Sequence, residues 1–222
     1  MTDNFPLLVI LSLIMAAVYF LYQRLQLTTK QNRAVLFDNC DTLLDDSGKY
    51  CEKNGFPNLT GSYDGFNVNL KLVPDTIVMR KIPPLWLMVT IKANKSSHGC
   101  LDFVVRPQNI EFYSPGWHWD GVFKTPKNWP QHSIAKYKDS IASIEVLDKF
   151  VPQLFDDIKV KELLVTPEIV RITYMVKQAV RGEYMLMRGT IFDNQPVDND
   201  DVKRMIEHAI LIRKNLEEDD SL

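Results

Sequence analysis

The sequence contains few cysteines and no excess of charge of either sign. Its three cysteines, Cys40, Cys51 and Cys100, stand at irregular spacing among 222 residues, which excludes a disulfide framework. We expect reduced thiols that pack as small apolar groups, although Cys40 and Cys51 are close enough in sequence to pair in an oxidising compartment. The formal net charge is −2. The chain therefore has no general attraction for phosphate backbones, and we expect no nucleic-acid partner.

Motifs that carry catalysis, metals or nucleotides are also missing. The sequence has no glycine-rich loop of the dinucleotide-binding or P-loop type, and no serine lies in a Gly-x-Ser-x-Gly motif. The pair His98 and Cys100 comes nearest to a set of metal ligands, but no second pair at zinc spacing accompanies it. We therefore assign no catalytic, cofactor-binding or metal-binding residue, and we expect no cofactor.

The segment 35–44 comes closest to an enzyme motif. It resembles the signature of haloacid dehalogenase phosphatases, Asp-x-Asp-x-Thr, in which the first aspartate is the nucleophile and the second is the general acid. Here Asp38 and Asp41 are three residues apart, and Thr42 follows the second directly. Because side chains alternate along an extended strand, the extra residue turns the second carboxylate away from such a site. Apolar residues at spacings of three and four instead predict a short helix over 35–46.

One long apolar run stands against these absences. Residues 5–23 include no charged side chain, and around 20 residues rising about 1.5 Å each match a hydrocarbon core of about 30 Å. Pro6 suits the first turn of a helix, and Tyr19 and Tyr22 suit the interface at its far end. No basic region precedes the run and no Ala-x-Ala site follows it. These features favour a transmembrane helix over a cleaved signal peptide.

Flanking charges predict the orientation of this helix. Asp3 precedes the run, whereas Arg24, Lys30 and Arg33 follow it, and the positively charged side of a span favours the cytoplasm. We expect a single-pass protein of the cell membrane, with a soluble domain that is cytoplasmic rather than exported. The predicted segments are an N-terminal flank (1–4), the transmembrane helix (5–23), a juxtamembrane linker (24–34), the soluble domain (35–216) and an acidic tail (217–222).

The soluble part contains strand-like and helical patterns in separate groups. Alternating or continuous apolar residues predict strands over 66–72, 77–82, 85–91, 101–106, 110–113, 161–166, 169–176 and 184–192. The strands within 65–106 are expected to form an antiparallel meander, and a helix over 169–180 stays open as an alternative. Helical spacing predicts a helix over 141–155, which Pro152 kinks or ends, and a final helix that begins at 198 or 199. The absence of repeated βα units predicts an α+β fold with a mostly antiparallel sheet and a few helices.

A loop rich in tryptophan, residues 114–130, is the least ordinary feature of the soluble part. Its candidate binding residues are Trp117, His118, Trp119, Asp120 and Trp129. Amphipathic rings in a loop can stack on a ligand, insert among lipid headgroups or form a hot spot for a protein partner. In the alternative, the loop folds over the sheet, its rings fill the edge of the core, and they bind nothing.

Three functional hypotheses follow. The first is a non-enzymatic binding or accessory module that meets a protein partner at the membrane surface. The second is a membrane-tethered enzyme with an unrecognised site, for which His118 and Asp120 are the first residues to examine. The third is a module that senses a ligand or lipid through the loop 114–130. The missing catalytic constellation favours the first.

Overall fold

The structure is a computed structural model. It describes residues 5–77, 82–92, 99–108, 111, 113–187 and 190–219, with all side chains in these ranges except those of 5–7, 186 and 187. A long N-terminal helix precedes an antiparallel sheet of nine strands on which further helices pack. The predicted α+β class is therefore confirmed.

The first helix, α1 (Phe5–Ala34), is 30 residues long. Its large apolar side chains from Leu8 to Leu27 are exposed, and its most apolar stretch is not buried against the rest of the chain. By length and composition α1 can cross a membrane, a test that an N-terminal signal sequence also passes. The segment 24–34, predicted as a linker, is a continuation of α1, since it contains no glycine or proline to end a helix already begun.

After α1 the chain enters the rest of the fold through a single 3₁₀ turn, Val35–Phe37. Leu36 and Phe37 are buried, and the Leu36 carbonyl accepts a hydrogen bond of 2.9 Å from the Val197 amide. The short helix predicted over 35–46 is therefore wrong. Its apolar residues have helical spacing, but they reach the core from an irregular turn that burial stabilises.

Nine strands form one sheet in which every hydrogen-bonded pair is antiparallel. The strands are β1 (Asp45–Cys51), β2 (Pro57–Tyr63), β3 (Phe66–Pro74), β4 (Pro84–Lys92), β5 (Leu101–Val105), β6 (Gly121–Val122), β7 (Ser133–Tyr137), β8 (Val160–Val165) and β9 (Ile169–Gln178). Their order across the sheet is β1-β2-β3-β4-β9-β8-β5-β7-β6. Strands predicted from sequence are confirmed as β3, β4, β5, β8 and β9, so the alternative of a helix over 169–180 is excluded.

The predicted meander over 65–106 is correct for β3 and β4 and wrong for β5. Strand β4 pairs with β9 along its whole length, and β5 lies beyond β9 and β8, between β8 and β7. The choice of a neighbour is a long-range event that local alternation does not encode. The strands predicted over 77–82 and 110–113 lie largely outside the described residues.

Helices α2 (Ile144–Phe155) and α4 (Asn199–Asp219) pack against one face of the sheet. The Asp198 carboxylate caps α4 by accepting a hydrogen bond of 2.9 Å from the Asp200 amide, and the predicted apolar side of α4 is buried. Both predictions are confirmed. Pro152 lies inside α2, one turn before the helix ends.

The third helix, α3 (Arg181–Met187), includes the first four residues of the segment 184–192, which was predicted as a strand. The Tyr184 amide donates a hydrogen bond of 3.0 Å to the Val180 carbonyl, and the Tyr184 side chain is buried. The prediction is wrong because a short apolar run has no period of its own, and here tertiary packing selects the helix.

The two faces of the sheet have different chemistry because side chains alternate along each strand. The face beneath α2 and α4, which we call the helix face, carries apolar residues that include Leu70, Leu72, Val89, Ile91, Phe103, Leu163 and Ile172. The opposite face, which we call the open face, carries the alternate residues, among them Asn69, Lys71, Thr90, Asp102, Glu162 and Arg171. The candidate site lies on the open face.

Candidate binding site

A segment between β5 and β6, residues 113–119, crosses the open face, and we call it the cover loop. Arg106 turns the chain toward it with a left-handed backbone (φ 46°), and its guanidinium donates to the carbonyls of Ile158 and Val160 at 2.8 and 2.6 Å. The Tyr113 ring then packs 6.1 Å from the Trp86 ring, centroid to centroid. The loop is thus held on the sheet by contacts at its start.

Asp102 on β5 holds the middle of the cover loop. Its Oδ2 atom accepts hydrogen bonds from the Ser114 hydroxyl at 2.5 Å and from the Gly116 amide at 2.7 Å, and the side chain is buried. A Cβ atom at Gly116 would lie 2.6 Å from Asp102 Oδ2. Glycine is therefore needed here for the backbone to come this close to the carboxylate.

Glu162 on β8 and Arg171 on β9 form an ion pair beside Asp102. The Arg171 guanidinium donates to both carboxylate oxygens of Glu162 at 3.0 and 3.2 Å, and also to the Tyr113 carbonyl at 3.0 Å. The Thr173 hydroxyl donates a further short hydrogen bond to Glu162. Glu162 is fully buried, so an ionised carboxylate there depends on these donors.

The buried carboxyls of Asp102 and Glu162 influence each other's protonation. Burial raises the pKa of the Glu162 carboxyl to about 7, with the Arg171 charge acting against this and the Asp102 charge adding to it. Burial also raises the pKa of Asp102, against its bonds from Ser114 and Gly116. Among the described residues no hydrogen-bond partner reaches Asp102 Oδ1. Each of the two carboxyls therefore affects the pKa of the other.

A second buried ion pair contacts the chain just before the cover loop. Lys161 Nζ lies 3.0 Å from Glu111 Oε1, and both side chains are almost completely buried. Lys161 also donates to the carbonyls of Val105 and Arg106 at 2.8 and 2.7 Å. Each charge therefore has several polar partners, as a buried charge requires.

The predicted binding residues do not lie together on one exposed surface. Trp129 is buried in the core, where its indole N–H donates to Asp148 at 2.7 Å and its ring packs edge-on against Phe103 at 5.0 Å. For Trp129, the interpretation of a ring that fills the edge of the core is the better one. Trp119 is half-buried, and its carbonyl accepts a hydrogen bond of 3.1 Å from Lys136.

The remaining candidates, Trp117, His118 and Asp120, are exposed. Within the ranges that the structure describes, no three His, Cys, Asp or Glu side chains are grouped so that they could hold a metal ion. The cysteines are free thiols: Cys40 is buried, Cys51 is exposed and Cys100 is half-buried. Burial raises the pKa of Cys40 to about 12, so this thiol is not a nucleophile at neutral pH.

Three exposed apolar side chains lie on this part of the open face, and we call Trp117, Val122 and Ile134 the Trp117 patch. The three side chains are exposed by 48%, 71% and 38%. Val122 on the edge strand β6 pairs with Lys136. Lys136 and Ile134 are two residues apart on β7 and therefore lie on the same face, so Val122 and Ile134 share the open face. A cavity of about 30 Å³, with room for one water molecule, lies beneath Trp117 and is lined in part by Asp102 and Ile134.

A larger concavity, of about 450 Å³, lies on the open face over β3 and β4. Its lining includes Lys71 and Arg171, but Lys71 pairs with Glu52 at 2.8 Å and Arg171 pairs with Glu162. These charges are neutralised within the chain. Lys92, which also lines the concavity and is exposed, is a lining cation that makes no ion pair within the described residues.

The buried ionic groups beneath the cover loop were not predicted from the sequence. Asp102 lies between apolar neighbours on β5, Lys161 and Glu162 lie near the start of β8, and no prediction was made for the surroundings of their charges. The signal that was present is the strand pattern itself. Leu101 and Phe103 face the core, which places Asp102 on the other face without saying that a loop covers it.

Comparison of the chain with protein-family models, with curated proteins and with solved structures finds no match.

Proposed function

We propose that this protein is a single-pass membrane protein whose soluble domain is a non-enzymatic binding module at the cytoplasmic membrane surface. In this proposal α1 crosses the bilayer, and the Trp117 patch binds a protein partner. The observation that carries it is the junction of α1 with the domain, where a helix exposed along its apolar length joins the core without a linker.

The exposure of α1 supports insertion in lipid. Side chains such as Leu13, Met15 and Phe20 are each more than 60% exposed, and so large a continuous apolar surface is unfavourable in water. Lipid tails remove this cost along the whole helix, and the helix satisfies its own backbone hydrogen bonds.

The end of α1 supports an uncleaved helix over a signal sequence. Arg33 donates to the Asn54 carbonyl at 2.6 Å, and its guanidinium lies 4.6 Å from the centroid of the Phe56 ring. Leu36 and Phe37 are buried in the core directly afterwards. Cleavage after residue 33 would remove the Arg33 contacts and leave a charged terminus beside the core.

The surroundings of the Trp117 patch support a binding role. Tryptophan is enriched among residues that dominate the energy of protein interfaces, and polar groups such as His118 and Asp120 flank it. The cover loop beneath is fixed by buried ionic groups, so little ordering is needed on binding. The patch is six strands away from β2, roughly 30 Å at ~4.8 Å per strand, so α1 does not obstruct it.

Alkaline carbonate extraction of membranes tests the anchor. We expect the full chain to remain in the membrane pellet, with the first residues still present when its amino terminus is sequenced. Release into the supernatant, or mature protein that begins after residue 24, would contradict the proposal.

Capture of partners from membranes solubilised in mild detergent tests the Trp117 patch. Trp117→Ser is compared with Leu211→Ser, because Leu211 is exposed by 47% and lies on α4, on the other side of the sheet. We expect a partner that co-purifies with wild type and with Leu211→Ser, and that is lost with Trp117→Ser. Equal recovery with both variants, or recovery of the bait alone in several detergents, would refute the assignment.

A further inference from the structure

The place where α1 leaves the soluble domain lies at one end of the sheet. The turn between β1 and β2 contacts α1 there: a Cβ atom at Gly55 would lie 2.9 Å from Lys30 Cα, and Gly55 has a positive φ of 86°. Arg33 contacts Asn54 in the same turn. Helix residues 8–28 extend away from the domain and are exposed, and Thr29 is half-buried.

The segment that follows β9 lies at this same end, and we call its described residues, 179–187 and 190–192, the exit-side segment. The Ala179 amide donates to the Pro83 carbonyl at 2.8 Å, next to the start of β4, and the Val180 amide donates to the Ile191 carbonyl at 2.8 Å. The Phe192 ring then packs 6.1 Å from the Phe56 ring, on which Arg33 also lies. These contacts place the segment beside the helix exit.

The length of α1 sets the height of this end above the lipid. Lys30 is seven residues beyond Gln23, the last residue of the apolar run, so at about 1.5 Å per residue it stands roughly 10 Å from the hydrocarbon. The headgroup layer on each side of a bilayer is roughly 5–8 Å thick. Lys30 therefore stands roughly 2–5 Å beyond the headgroup layer, close enough for exposed side chains at this end of the domain to reach the headgroups.

The exposed side chains of the exit-side segment suit this location. Met185 is exposed by 61%, and Val180 and Ile191 are also exposed. These apolar groups have no cover within the described residues, and a headgroup layer is the nearest surface that can accept them.

The charges around the segment favour anionic lipid. Arg24, Lys30, Lys53 and Arg181 are exposed cations on α1, on the β1–β2 turn and on α3. The acidic groups nearby are fewer: Asp193 pairs with Lys177, and Glu52 pairs with Lys71, which leaves Glu183. A positive surface beside a membrane attracts negatively charged headgroups.

We propose that the exit-side segment binds the anionic headgroup layer of the bilayer that α1 crosses, so that the domain rests on the membrane by two contacts. This inference rests on the proposed function, because it requires α1 to be inserted. The occupant of the exposed apolar surface around Met185 is then phospholipid, with anionic lipid preferred over zwitterionic lipid.

Fluorescence of the full chain in vesicles tests this second contact. An environment-sensitive fluorophore is attached at Met185→Cys or, as the matched control, at Leu211→Cys, in a chain that carries Cys51→Ser and Cys100→Ser. Leu211 is also exposed, but it lies beside Tyr63 and Asp64 at the opposite end of the sheet. Vesicles contain phosphatidylcholine with or without phosphatidylserine, and some of the lipids carry a quencher.

We expect the label at 185 to shift to shorter wavelength and to be quenched by lipid, more strongly when phosphatidylserine is present. The label at 211 should stay water-like in both vesicles. Arg181→Glu should reduce the quenching at 185, and a label at Ile191→Cys gives a second reading if the Met185→Cys chain does not fold.

Two failures are distinguishable. If the chain floats with the vesicles but the labels at 185 and 211 are equally water-like, the inference is overturned and the anchor stands. If the chain does not float with vesicles at all, the anchor itself is refuted, and the second contact fails with it.

Discussion

The helix face and the open face of the sheet are both buried near β5 and β8, but they are stabilised by different interactions. On the helix face, Phe103 packs against the rings of Trp129 and Phe155 at centroid distances of 5.0 and 4.9 Å. On the open face, Asp102 and Glu162 depend on hydrogen-bond donors that are aimed at them. Apolar packing has no preferred bond direction, whereas a buried carboxylate is stabilised by donors placed at its oxygens. The cover loop is therefore held in one conformation by directional polar contacts and not by apolar packing alone.

The largest loss of stability is expected on the helix face. Phe103→Ala removes a fully buried ring and leaves a cavity, so we expect the free energy of unfolding to fall by about 3–5 kcal/mol. Urea denaturation of the full chain in detergent measures this loss. A fall below ~1 kcal/mol would mean that the helix face is not the main core.

On the open face, the loss should depend on whether one or both charges are removed. Arg171→Met leaves the buried Glu162 without its cation, and we expect a loss of about 3 kcal/mol at pH 8. Glu162→Leu combined with Arg171→Met removes both charges and should recover most of that loss. The same denaturation experiment compares the single and the double variant. If the double variant is as unstable as the single variant, the ion pair stabilises the fold by more than the cost of burying its two charges.

The open face should contribute a pH dependence of stability between about pH 4.5 and 7. The pKa of Glu162 is raised from 4.5 when unfolded to about 7 when folded, so the folded state holds more protons in this range. Stability is therefore greatest at the acidic end and falls, on the order of 3 kcal/mol in total, as pH rises through 7. Asp157 and Asp201, whose pKa values are lowered, lose stabilising charge only at lower pH.

Glu162→Gln is the control for this pH dependence. Glutamine keeps the shape of the side chain but does not titrate, so the slope of stability between pH 4.5 and 7 should flatten. An unchanged slope would assign the titration to another group.

The smallest effect is expected at the surface. Trp117→Ser changes an exposed side chain and should alter the free energy of unfolding by about 0.5 kcal/mol or less, while it abolishes partner capture. Thermal denaturation of both proteins checks the first part. A loss above ~2 kcal/mol would show that Trp117 is structural, like Trp129.

Features that a single helix or strand determines could be predicted from the sequence, whereas features that depend on several distant elements could not. Strand β3 and helix α4 each have one apolar side with its own period, so both were predicted. The neighbours of β5 were not, because β9 competes for β4 from some 80 residues away in sequence. The segment 184–192 is short enough that packing overrides its local pattern.

The candidate site shows the same division. Trp117 was identified by its residue type, and the structure places it at the surface. Asp102, Glu162 and Arg171 were missed because a charged residue in a strand normally faces water. Only the return of the cover loop across the open face buries them, and no local pattern encodes that return.

Gly55 packs closely against Lys30 near the end of α1, and α1 is followed directly by the buried turn that contains Leu36 and Phe37. A rotation of α1 about its axis would therefore rotate the domain with it. One residue inserted between 24 and 29 would swing every domain surface by about 100° and lift it by about 1.5 Å. The number of α1 residues between the lipid and the domain therefore sets the direction in which the Trp117 patch faces and its height above the membrane.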